Sequence, residues 1–142
     1  MRLKMNRPLT ATKLAAACVL LTLAGCASFA PRTPEEQVKV RAQARYDAVI
    51  KGDRKRAYEY FTPGYRATVS AETYAGATGN AVVTVGATVE SVRCETLEKC
   101  IAQVKLDLKP IAVRGFAGNI ITTHADETWL LEAGQWWLFQ AL

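Results

Sequence analysis

From Thr33 to Phe61 apolar side chains return every three or four positions, and from Asn80 onwards they return every second position. The first spacing is that of a helix with one buried face, the second that of a half-buried strand. Thr33-Pro34-Glu35-Glu36 opens the first helix: Thr33 caps, Pro34 suits the first turn, and Glu36 closes a capping box. Val38, Ala42, Tyr46, Val49 and Ile50 form its apolar face. Gly52 ends it, and Asp53 caps a second helix running roughly from Arg54 to Phe61, which presents Ala57, Tyr60 and Phe61 with Tyr58 beside them. Thr62-Pro63-Gly64 breaks that helix, and Ser70 to Ala77 forms a short third one with Tyr74 inward.

In the second half Val83, Val85, Ala87 and Val89 alternate with polar or small residues. Around Glu90 the pattern moves to Val92 and Cys94, which predicts a bulge or bend. Cys100, Ala102, Val104, Leu106 and Leu108 share one face of the next strand; Gln103, Lys105, Asp107 and Lys109 take the other. Pro110 to Asn119 is looser and holds two glycines. Ile120 to Leu131 is a third strand, and Ala133-Gly134-Gln135 turns it into a fourth, from Trp136 to Leu142. Helices first and a four-stranded antiparallel meander afterwards predict an α+β domain with the helices on one face of the sheet. The chain shows no internal repeat and no low-complexity tract.

The N-terminus follows a different rule. Arg2, Lys4, Arg7 and Lys13 stand without an acid among the first thirteen residues, and Leu14 to Leu23 is apolar apart from Cys18 and Thr22. A basic segment followed by an apolar run of about ten residues is the pattern of an export signal, and it is shorter than the ~20 residues of a spanning helix. Leu23-Ala24-Gly25-Cys26 closes the run and resembles the lipobox of bacterial lipoproteins. The resemblance implies diacylation of the Cys26 sulfur and cleavage before it; the alternative is a plain secretory signal with a chance cysteine. It divides the chain into a signal peptide at 1–25, a tether at 26–32 and a domain at 33–142. The membrane is then a partner through the N-terminal lipid, since two or more acyl chains anchor stably. Ala27, in place of an aspartate, points to the outer membrane, facing the periplasm.

Removing the leader changes the electrostatic picture. The chain carries a net charge of +5, but four of its 18 Lys and Arg precede Cys26 and all 13 Asp and Glu follow it, so that 14 basic residues face 13 acidic ones in the remainder. A nearly neutral domain has no footprint for a polyanion, so nucleic acid is not expected as a partner. Arg54-Lys55-Arg56 is its one basic run and reads as a solvated helix face. Cys94 and Cys100 remain after the leader and the lipid site are set aside, with five residues between them at a hairpin tip. In a compartment that permits disulfides they are read as a cross-strand staple. A metal pair would need further Cys or His at ligand spacing, and His124 is the only histidine.

Three stretches resemble the nuclear-transport-factor-2-like, or SnoaL-like, superfamily: Arg45 to Asp53, Ala57 to Tyr65, and Glu127-Thr128-Trp129 with Gly134-Gln135-Trp136-Trp137-Leu138. The resemblance implies a cone, in which long helices lie across a strongly curved sheet and enclose a pocket. Candidate pocket residues are Tyr46, Tyr60, His124, Asp126 and Trp129. By position Tyr46 resembles the oxyanion donor of the family's ketosteroid isomerases, which also need a carboxylate base and a protonated acid. Thr62 to Thr68, where the base would fall, contains no acid. His124, Asp126 and Thr128 alternate on one strand, either as an acid–base group with Tyr46 or as a solvated polar row. No Gly-rich phosphate loop or nucleophile elbow occurs, and no cofactor or metal is expected. The expectation is a binding or assembly module without catalysis, taking a small apolar ligand, a second copy of the chain or a periplasmic protein. Its alternative is a small-molecule isomerase, cyclase or dehydratase.

Overall fold

The computed structural model of the chain describes residues 32–77, 81–112 and 118–142. The leader, Cys26 and most of the tether lie outside the described residues.

Helix α1 (Pro34–Ile50) begins as its sequence directs: the Glu36 N–H donates to Thr33 Oγ1 at 3.2 Å and the Thr33 N–H to Glu36 Oε2 at 3.0 Å. Val38, Ala42, Tyr46 and Ala48 are buried, whereas Ile50, expected inward, is exposed. Gly52 takes φ +76°, a left-handed turn that a Cβ would disfavour. Asp53 then caps α2 (Arg54–Tyr58) by accepting from the Arg56 N–H at 3.0 Å. The expected extension to Phe61 does not form. Tyr60 to Thr62 runs beside the last strand: the Leu138 N–H donates to the Tyr60 carbonyl at 2.8 Å and the Thr62 N–H to the Leu138 carbonyl at 3.0 Å. Thr62-Pro63, expected to break a helix, starts one instead. Thr62 caps α3 (Pro63–Thr68), with Pro63 in the first turn, where its missing N–H costs nothing. A fourth helix, α4 (Ala71–Ala77), buries Tyr74.

Strands β1 (Val82–Thr96), β2 (Lys99–Pro110), β3 (Ile121–Glu132) and β4 (Gln135–Leu138) form one sheet in chain order, each antiparallel to the next. The pairing slips between Val89 and Ser91, which places a bulge at Glu90 where the alternation shifts. Cys94 and Cys100 stand opposite each other and are disulfide-bonded; Leu97-Glu98 is the turn between their strands. Ala133 and Gly134 turn β3 into β4 with φ of +50° and +76°.

The core is the layer between α1 and one face of the sheet: Val38, Ala42 and Tyr46 meet Val89, Ala102, Val104 and Trp129, with Phe61 and Tyr74 beside them. The cone expected from the family resemblance is not what forms. Among the described residues only α1 is long, at 17 residues, and the helices that follow it have 5, 6 and 7 residues. Short helices before a four-stranded antiparallel sheet cannot supply the long helical wall of that cone.

Candidate functional site

Beneath α1 three polar side chains meet in the core layer. Glu127 shares the strand face of Trp129, two residues on, and so points toward the helix. Its Oε1 accepts from Arg45 Nη1 at 2.7 Å and from the Tyr46 hydroxyl at 2.7 Å. The Arg45 and Glu127 side chains are only 12% and 11% exposed, so the pair is largely desolvated. The Arg45 guanidinium also lies over the Tyr46 and Phe61 rings, 4.8 and 5.4 Å from their centres. Burial raises the Tyr46 pKa well above that of an ordinary phenol, and the Glu127 charge adds to this against the opposing effect of Arg45. Burial works against the Arg45 charge, but Glu127 and Tyr46 outweigh it and the Arg45 pKa rises. The triad balances its charge, a cation against an anion with a phenol held protonated by donating to that anion, while Glu127 Oε2 and Arg45 Nε are buried without a hydrogen-bond partner among the described residues.

The candidate pocket residues do not converge. Tyr46 sits in the triad. Trp129 is fully buried, across from Cys100, as a core side chain. Tyr60 is buried at the far edge, beside β4, with Arg41 and Arg56 over its ring. His124 and Asp126 lie on the other face of the sheet, opposite Lys105 and Gln103. His124 is exposed there, 3.3 Å from Glu90 in the bulge. An acid–base group of Tyr46 with His124 or Asp126 is therefore excluded by the sheet between them. Among the described residues no three His, Cys, Asp or Glu side chains gather as metal ligands, and no helix is long and apolar enough to cross a membrane.

Arg45 and Glu127 were not among the candidates. Each had a signal. Arg45 falls seven residues after Val38, on the buried side of α1, and Glu127 has the parity of Trp129.

The site and the fold together define a helix-covered antiparallel sheet with an internal ion pair. No protein-family model and no curated protein matches the chain. It is similar to the solution structure of a SEC-C motif containing protein from Rhodopseudomonas palustris, at 14% identity and a TM-score of 0.55, over 70% of this chain and 73% of that one. At that identity the likeness is one of fold. It corrects the resemblance drawn from sequence: the likeness runs to a SEC-C motif protein, and nothing in the comparisons joins the chain to the nuclear-transport-factor-2-like superfamily or to a lipoprotein family. The stretches that carried the resemblance hold Phe61, Trp129, Trp136 and Leu138, which are core residues that many helix-on-sheet domains require.

Proposed function

We propose that the chain is a binding or assembly module without catalysis, held at the outer membrane through a lipid on Cys26 and facing the periplasm. The observation that carries the first part is the triad. Tyr46 and Glu127, the proton-transfer pair an isomerase or dehydratase would want beneath the helix, are committed to each other and to Arg45. Trp129 and Phe61 fill the space around them. The Cys94–Cys100 disulfide supports an oxidising compartment. The address itself rests on the basic and apolar leader and the small residues before Cys26.

The test is one preparation. The Cys26→Ser chain is expected to carry no acyl groups, read by mass, whereas the wild type carries them; a variant that is still acylated, or a wild type that is not, overturns the anchor. Its native mass spectrum is expected to show a non-covalent ligand that is lost on denaturation, or a dimer. A bare monomer overturns the binding-or-assembly reading.

A further inference from the structure

Arg41 on α1, Arg56 on α2 and Arg66 on α3 converge on one open cleft of about 460 Å³ at the β4 edge. Tyr60 and Trp137 form its walls, and each ring holds two cations. Arg41 and Arg56 lie 5.1 and 5.5 Å from the centre of Tyr60; Arg41 and Arg66 lie 5.3 and 5.0 Å from that of Trp137. Glu59 is the one carboxylate lining the cleft, and it pairs with Arg56 at 3.0 Å. Three guanidiniums against one carboxylate leave two positive charges in a small space.

The three cations are not equally occupied. Arg41 donates from Nε to the Trp136 carbonyl at 2.7 Å. With the Gln135 amide turned so that its oxygen faces Arg41, that oxygen accepts from Nη1 and Nη2 at 3.2 and 2.9 Å. Arg66 makes no side-chain hydrogen bond or ion pair among the described residues, and its Nε is buried. Burial holds the Arg41 pKa below that of an ordinary guanidinium, with Arg56 adding to the effect and Tyr60 opposing it. A cleft that gathers like charge and leaves a guanidinium unpaired is suited to an anion.

We propose that this cleft binds a phosphate group, with Arg66, Arg56 and Arg41 as its donors. Guanidiniums stacked on rings keep their N–H groups in the plane, free for an acceptor at the edge. A single carboxylate is satisfied by one such fork, whereas a phosphate accepts on several sides at once, which matches donors arriving from three helices. The cleft is larger than the group, so the molecule carrying the phosphate has room at its mouth. The inference rests on the binding-module reading and names the ligand chemistry. The same phosphomonoester could stand on a lipid headgroup or on a soluble molecule.

The test titrates the full chain with inorganic phosphate at constant ionic strength, by calorimetry and by Trp fluorescence. Vesicles with and without phosphatidic acid are assayed in parallel. Saturable phosphate binding is expected. Arg66→Gln should weaken it about tenfold or more, and Arg56→Gln, at an exposed position that cannot disturb the core, should weaken it in the same direction. Arg93→Gln removes an exposed cation that is paired with Glu95 on β1, outside the cleft, and should leave binding within about twofold. Vesicle binding that Arg66→Gln abolishes assigns the headgroup as source; phosphate binding without vesicle binding assigns a soluble one. The proposal is overturned if phosphate does not bind saturably, or if Arg93→Gln weakens binding as much as the cleft variants do. A null titration alongside a ligand or dimer in the native mass spectrum removes the cleft assignment and leaves the module reading standing.

Discussion

At Glu127 a single carboxylate oxygen takes both the Arg45 N–H and the Tyr46 O–H. The arrangement has a consequence for alkaline stability. The Tyr46 pKa is raised in the fold, so above the ordinary phenol value of 10.0 the unfolded chain loses a proton that the folded chain keeps. The stability this group contributes is whole below that pH and is lost as pH rises toward the folded value. Between pH 10 and 11 the wild type should lose about 1 kcal/mol more than Tyr46→Phe, read as the difference in urea unfolding at the two pH values. Equal losses would show that the phenol ionises as freely inside as outside. The triad was only partly legible in the sequence. Tyr46 is visible at helical spacing among Val38 and Ala42, but Arg45 and Glu127 are charged residues at buried positions, and residue type argues against position there. What settles Glu127 is parity: once Trp129 points inward, Glu127 follows it and His124 and Asp126 must point out. Grouping His124 and Asp126 with Trp129 in one pocket ignored that rule.

The elements are legible where local chemistry decides them and obscure where a distant partner does. The Thr33 capping box, the Gly52–Asp53 break and the bulge at Glu90 all stand in the structure as the residues imply, because each is settled within a few positions. Phe61 leaves its helix because Leu138, 77 positions on, takes the neighbouring backbone groups, and no local pattern announces that. The β3–β4 turn carries a residue out of place. Ala133 and Gly134 both have positive φ, the pattern of a tight hairpin turn that favours Asn-Gly. Glycine suits the second position, whereas a Cβ at Ala133 is strained by about 1 kcal/mol. Ala133→Asn is therefore expected to raise the free energy of unfolding by roughly 0.5–1 kcal/mol, and the urea midpoint with it, because asparagine tolerates that conformation better. A lower midpoint would mean that the methyl group of Ala133 contributes packing that outweighs the strain.

At the scale of the domain, one long helix organises the described residues: α1 faces the sheet through Tyr46 and reaches the β4 backbone through Arg41. The β1–β2 tip, at the same end of the sheet as β4, is held by Cys94–Cys100, with Cys100 fully buried beside Trp129. Closing so short a loop stabilises by about 2 kcal/mol on the chain-entropy account. Reduction should lower stability to urea by that amount while leaving the fold intact; an unchanged midpoint would reduce the bond to a compartment marker. The parallel bridge between Phe61 and Leu138 joins the middle of the chain to its last strand. Arg41 and Thr62 find their backbone partners at Trp136 and Leu138, four to six residues before the final Leu142. Contacts so far apart in sequence form slowly, because a long loop must close before they reward it. The layer of α1 on the first two strands needs no such closure, so the β4 edge is the part of the domain expected to form last.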